Sequence, residues 1–275
     1  MQETNYIITG SSGYIGSNFL LKNPKTLTVN RDTENLFLQD SNRNILEDNK
    51  NKYVLIHLAT HFSINKDDDH IIKKANLDFG INLLKYIEKL NISKIVYTNT
   101  MYSFYKGEKE RNSFYTKSKN IFSKHLFQYT QKRNIFYEEI YLDNSFGGID
   151  RRKKVIPLII ENIYSNKENP INNPNNVINL MHIDDIVKRL ELSGNIPKSE
   201  KSAFINNKSV ALYSIYEFLD YYKKTKKIKK DILKFYENEY IPNDLAINYK
   251  NLKINDLSNK LIHTYKNYEK MRNDN

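Results

Sequence analysis

Hydrophobic positions in this chain fall into short apolar runs separated by longer stretches with helical spacing. Tyr6-Ile7-Ile8 reads as a first strand, followed by a glycine-rich turn and a helix with Ile15, Phe19 and Leu20 on one side. Thr26-Leu27-Thr28-Val29 predicts a second strand, ending at Asn30-Arg31-Asp32, and Phe37 to Asp40 a short third. Tyr53 to Thr60 is a sharper apolar strand, in which His57 reads as a packed strand-end residue. Ile71 to Leu90 carries Leu77, Ile81, Leu84 and Ile87 at helical spacing. Ile92 to Thr98 predicts a fifth strand, Ile121 to Tyr129 a helix and Phe136 to Leu142 a further strand. Strand alternating with helix predicts an α/β fold with a parallel sheet wound on both sides. Beyond Asp143 the pattern changes. Asn166 to Asn176 reads as a loop, and Leu257 to Tyr268 is an amphipathic segment of a smaller α/β lobe.

The first turn reads Thr9-Gly10-Ser11-Ser12-Gly13-Tyr14-Ile15-Gly16. A strand, a glycine turn and a helix start aim backbone N–H groups and the positive end of a helix dipole at a phosphate. This predicts dinucleotide binding on a Rossmann-type sheet, with Gly10, Ser12, Gly13, Tyr14, Ile15 and Gly16 as contacts. No lysine follows the last glycine, so the phosphate loop of nucleotide triphosphatases does not fit. At the end of the second strand an acidic residue would hold a ribose 2′-hydroxyl, whereas an arginine favours a 2′-phosphate. Asn30 followed by Arg31 therefore predicts NADP, with Asp32 keeping NAD possible. Asp40 and the strand-end residues Leu58, Ala59 and Thr60 are further candidate cofactor contacts, small Ala59 allowing close approach.

Composition removes several classes. The 275 residues include no Cys, which excludes disulfides, thiolate nucleophiles and thiolate metal sites, and fits a reducing cytoplasm. There is no signal-like N-terminus and no apolar stretch of bilayer-spanning length, so the expectation is a cytoplasmic protein with no membrane partner. A net charge of +11 favours anionic partners. Much of the excess lies in Lys223 to Lys234, which reads as a solvated helix face, and no nucleic-acid motif accompanies it. No metal site is expected.

Further motifs follow in order: His57-Leu58-Ala59, Asn76-Leu77-Asp78-Phe79-Gly80-Ile81-Asn82-Leu83-Leu84, Asn99-Thr100, Tyr115-Thr116-Lys117-Ser118-Lys119, Asn144-Ser145-Phe146-Gly147 and His182-Ile183-Asp184-Asp185. Tyr115 and Lys119 are one helical turn apart and share a face. A phenol beside a cation suits proton transfer to a reduced carbonyl, the cation drawing its pKa from about 10 toward neutrality. Together these motifs resemble the extended short-chain dehydrogenases/reductases, the NAD-dependent epimerase/dehydratase family.

That resemblance implies a Rossmann domain over residues 1–147, with 177–194 returning to it, and a substrate lobe over 148–275. It implies Tyr115 as the proton donor, Lys119 as its electrostatic partner and ribose ligand, and Thr100 as the hydroxyl clamping the substrate oxygen. Met101, Asn144, Arg151, Arg152 and Lys153 become candidate contacts to a nucleotide-diphosphate sugar, and a homodimer is implied. Two departures stand out: Tyr141 occupies a position where the family often has arginine, and the segment between Thr100 and Tyr115 is short. Met101-Tyr102 replaces the Asp-Glu pair of the 4,6-dehydratases, and absence of cysteine removes the 3,5-epimerising reductases. The chain is most similar to C4 reductases of nucleotide-linked 4-keto-6-deoxy sugars, of the CDP-abequose and CDP-paratose synthase kind, which serve surface polysaccharide. A nucleotide-sugar 4-epimerase and a non-catalytic dinucleotide-sensing regulator stay open.

Overall fold

The structure, a computed structural model, describes residues 4–32, 35–39, 51–63, 65–148, 150, 152, 154–167, 171, 173, 176–238, 245–250 and 253–274. Of 30–32, 35–39 and 247–250 it describes the backbone alone. Asp40, Arg151 and Lys153 lie outside the described residues, as do the side chains of Asn30 and Arg31.

In chain order the first elements are β1 (Asn5–Thr9), α1 (Tyr14–Lys22), β2 (Leu27–Asp32), β3 (Asn35–Gln39) and β4 (Tyr53–His57). Next come α2 (Asp69–Ile72), α3 (Phe79–Ile87), β5 (Ile92–Thr100), α4 (Glu108–Asn112), α5 (Phe114–Arg133) and β6 (Phe136–Leu142). There follow β7 (Asn144–Phe146), α6 (Val155–Tyr164), β8 (Val177–Ile178), β9 (Leu180–His182), α7 (Ile183–Asn195), β10 (Glu200–Asn206) and β11 (Lys208–Ala211). The last are α8 (Leu212–Thr225), β12 (Phe235–Glu237), β13 (Ala246–Lys250) and α9 (Ile254–Asn273). The main sheet runs β13-β10-β6-β5-β4-β1-β2-β3. β2, β1, β4, β5 and β6 are mutually parallel, and β3 joins antiparallel to β2.

Residue contacts divide the chain into two units, one holding the described residues up to Leu142 with Ile186–Ala203 and a short stretch ending at Ala246. Every residue of β4 is buried, as a parallel strand covered on both faces requires. Ile7, Leu55, Ile95 and Tyr97 point to one face, where Leu83, Phe122 and Leu126 of α3 and α5 cover them. Tyr6 points to the other, meeting Phe19 of α1 edge-on at 5.3 Å and donating its hydroxyl to Glu191 O of α7 at 3.3 Å. The doubly wound sheet is thus present.

The helix expected over Ile71 to Leu90 is interrupted by a π turn over Lys73–Asp78. This wide turn keeps Ile72, Asn76 and Gly80 on the inner face, and Ile81, expected inside, is exposed. The second unit comprises Asp143–Asp185, Phe204–Ile241 and Ile247–Asn275. Val177–Asp185, which the motif order assigns to the first unit, belongs here. α6, α8 and α9 pack around Ile159, Ile163, Phe218, Leu261 and Tyr265, beside a β12-β11-β8 sheet and the parallel pair β7-β9. The lysine run is not the helix face expected from sequence. α8 stops at Thr225, because Lys226 takes a left-handed conformation with φ +56.

Candidate active site

The site is built where β1, β4 and β5 end side by side, at the C-terminal edge of the sheet. The strand order reverses between β1, which leads to β2, and β4 on its other side, the place where open α/β sheets bind ligands. Gly10 turns the chain out of β1 with φ +71, and a Cβ there would stand 2.7 Å from Ala59 N. A Cβ on Gly16 would stand 2.1 Å from Gly10 O, so only glycine lets α1 sit directly on the turn. Gly13 caps α1 and offers no side chain to its N-terminus, where Ser12 and Gly13 are open to solvent. Tyr14 and Ile15 open the first turn, half-buried. A pyrophosphate fits this arrangement, because the helix's positive end is exposed and unencumbered.

Thr9 locks the turn to the end of β4. Its Oγ1 accepts from the N–H groups of Leu58 and Ala59, both at 3.2 Å, and lies 2.8 Å from His57 Nδ1. With both acceptor positions used, the hydroxyl donates to Nδ1 and fixes the His57 proton on Nε2. His57 is packed among Phe79, Tyr97 and Phe122, and burial, with help from the Lys119 charge, brings its pKa down to about 3. It is a neutral, structural residue.

The chemical centre is carried by α5, whose N-terminus Ser113 caps through a 3.2 Å bond accepted from Thr116 N. Tyr115 and Lys119 lie on its buried face. The side chains of Thr60 and Thr100 lie close enough to the Tyr115 phenol to act on its pKa, both lowering it. Its ring is boxed edge-on by Phe62 at 4.9 Å and Tyr102 at 6.4 Å. Lys119 Nζ stands 4.9 Å over the Tyr97 ring and 5.9 Å over that of Tyr115. Thr100 ends β5, where its Oγ1 also accepts from Tyr102 N at 3.2 Å. Met101, a candidate substrate contact, is completely buried, so its side chain supports this turn.

The electrostatics differ from the sequence expectation. Burial raises the Tyr115 pKa above the ordinary phenol value, so the lysine does not draw it toward neutrality in this state. Burial instead brings Lys119 down to about 7, with Glu139 acting to raise it. The phenol is held protonated, as a proton donor must be.

Asn76, on the π turn, holds the loop after β4 against α5. Its Oδ1 accepts from His61 N at 2.7 Å and Thr60 Oγ1 at 3.1 Å, while Nδ2 donates to His61 O at 3.2 Å and Ser118 Oγ at 3.1 Å. Thr60, expected only as a cofactor contact, is thereby held on the loop that faces α5. In the second unit Asn144 Nδ2 donates to Asp143 Oδ1 at 2.6 Å. Arg152 grips Asp150 through two 2.7 Å bonds and donates to Ser145 O at 3.1 Å. Among the described residues no acidic or histidine cluster could hold a metal, and no helix is long and apolar enough to cross a membrane.

The sequence model of the NAD dependent epimerase/dehydratase family matches residues 6–192. A CDP-abequose synthase of Yersinia pseudotuberculosis is 24% identical over 259 residues, covering 88% of this chain and 86% of that protein. Among solved structures, a UDP-N-acetylglucosamine 4-epimerase from Methanobrevibacter ruminantium in complex with UDP-N-acetylmuramic acid aligns with a TM-score of 0.73 at 16% identity, covering 98% of this chain and all of that one. A UDP-glucuronic acid 4-epimerase from Bacillus cereus in complex with NAD aligns with a TM-score of 0.71 at 14% identity, covering 99% of each chain.

Proposed function

Because the chain belongs to the NAD dependent epimerase/dehydratase family, we propose that it reduces the C4 ketone of a nucleotide-linked 4-keto-6-deoxy sugar, using NADPH, in the making of a surface polysaccharide. The observation that carries this reading is the meeting of Thr100, Tyr115 and Lys119 at the end of β5, beside a glycine turn shaped for a dinucleotide. The dinucleotide, once bound, supplies hydride. Gly10, Ser12, Gly13, Tyr14, Ile15 and Gly16 hold its pyrophosphate, Leu58, Ala59 and Thr60 line its path, and Asn30 and Arg31 select the 2′-phosphate. Asp40 is assigned to the adenosine end.

Thr100 holds the substrate oxygen through its hydroxyl. Tyr115, kept neutral by burial, delivers a proton to that oxygen as negative charge gathers on it. Lys119 steadies the phenolate left behind and holds the nicotinamide ribose. Asn144 and the basic run Arg151, Arg152 and Lys153 are assigned to the sugar's diphosphate. The likeness to a CDP-abequose synthase supports a nucleotide-linked deoxy sugar as substrate, although a 4-epimerase would employ the same hydroxyl, phenol and ammonium.

Incubation with NADPH and a panel of CDP-, GDP- and dTDP-4-keto-6-deoxy sugars tests this. One member of the panel is expected to consume reductant, and Tyr115→Phe is expected to lower kcat by about 10²- to 10⁴-fold while retaining NADPH binding. Interconversion of two non-keto sugars with no net change in cofactor would replace the reductase by the epimerase. A Tyr115→Phe protein as active as the parent would remove the phenol from either mechanism.

A further inference from the structure

We propose that Glu139 is a positioning residue that keeps Lys119 charged in the interior of the sheet unit; this rests on the role given above to Lys119. Glu139 is completely buried on β6, the second of two consecutive glutamates in an otherwise apolar strand. Its neighbour is fully accounted for on the opposite face, where Glu138 meets Lys94 and Arg189, each at 2.5 Å. Glu139 points to the other face, beneath α5. The register of β5 and β6 sets it beside Tyr97, the ring over which the Lys119 ammonium lies.

Its two oxygens have different company. Oε1 accepts from Asn99 Nδ2 at 2.6 Å, and Asn99 Oδ1 in turn accepts from the backbone N–H of Thr100 at 2.8 Å. Oε2 is 3.1 Å from the ammonium of Lys201, a side chain half open to solvent. One carboxylate therefore reaches the strand end that presents the Thr100 hydroxyl and, through space, the lysine that serves the phenol.

An ammonium buried without an anion sheds its proton, because desolvation disfavours the charged form. Around Lys119 stand His57 of β4, Tyr97 of β5, Tyr115 of α5 and Glu139 of β6. Tyr137, next but one along β6, faces Glu139 as well, with Lys201 of β10 and, on the same row, Tyr141. Burial keeps His57 neutral and pushes the phenols of Tyr97, Tyr115 and Tyr137 up. The carboxylate is then the charge that favours Lys119, and Lys201 is the cation competing for it.

Glu139→Gln separates charge from shape, because the amide oxygen can still accept from Asn99. Lys119 can be titrated in the full chain, without substrate, by trace acetic anhydride labelling over a pH series with its peptide quantified by mass spectrometry. E139Q is expected to move the Lys119 midpoint down by about one pH unit, and Lys201→Gln to move it up. With substrate, E139Q is expected to lose about ten-fold in kcat/KM near pH 8 and to recover near pH 6, since ten-fold follows from one unit of proton affinity. An unshifted Lys119 in E139Q overturns the proposal. Should E139Q fail to fold, the surface variant K201Q decides: an upward shift supports it and an unchanged midpoint overturns it. Shifted labelling in a protein that reduces none of the offered sugars would leave the charge coupling standing and sink the enzymatic reading. Normal turnover with unshifted labelling would do the reverse.

Discussion

His57 illustrates how much a single side chain can encode. Its ring is clasped by Thr9 and three aromatic neighbours, and its folded pKa is about 3 against 6.5 for the free side chain. Because the folded value is depressed, the unfolded chain takes up the proton first as the pH falls. Stability is therefore full above about pH 6.5 and lost progressively toward about pH 3, on the order of 5 kcal/mol at full extent. Denaturant titrations at stepped pH should show this loss, and His57→Phe should flatten it; an unchanged slope in the variant would mean that other groups carry the acid sensitivity. The glycine spacing, the Tyr115 and Lys119 pair and Thr100 were legible in the sequence because each motif is local. Glu139 left only an indirect trace. Two adjacent charges inside an apolar strand signal buried partners, but those partners, Asn99 and Lys201, lie far away in the chain. The direction of the Tyr115 pKa was hidden for the same reason, since a sequence shows the neighbouring lysine and not the depth of burial.

At the level of elements, α5 aims the chemistry and the π turn fixes what faces it. Strands were readable from their apolar runs, and the register that brings Thr9, His57 and Thr100 to one edge follows from parallel pairing. The π turn was not readable, because four-residue spacing of Ile72, Asn76 and Gly80 looks the same in an ordinary helix. Its role is specific, since Asn76 uses both ends of its amide to tie Thr60 and His61 to α5. Asn76→Ala should cost about 2–3 kcal/mol, as buried groups lose partners. It should also lower kcat about ten-fold or more, because the loop carrying Thr60 is released from α5, which carries the phenol. Chemical denaturation and steady-state kinetics on the same preparation check both, and a variant with parental kcat would separate the π turn from catalysis.

For the molecule as a whole, the two-unit division explains why a chain of this length carries a second hydrophobic core. In the sheet unit Ile71, Ile81, Ile121 and Phe127 stand exposed on α2, α3 and α5. Large apolar groups left open on helices that flank a sheet would suit the homodimer that the family resemblance implies. Sedimentation should give a dimer, and Phe127→Glu should halve the mass without altering the fold. A parent protein that sediments as a monomer across the micromolar range would refute the assignment. The +11 charge had pointed to anionic partners, and the lysine run that supplies much of it leaves its helix at Lys226.

The ion cluster at Lys94 carries a consequence for how the protein comes off the ribosome. Lys94 donates to Glu138 and also to the carbonyl oxygens of Ser193 and Ile196, while Arg189 neutralises the other oxygen of Glu138. Two central strands thus hold a cation and an anion whose remaining partners are translated some fifty to a hundred residues later. Until α7 emerges, the nascent sheet keeps that face wet, and closing it becomes a late, cooperative event that couples synthesis past Ile196 to the sealing of the N-terminal core.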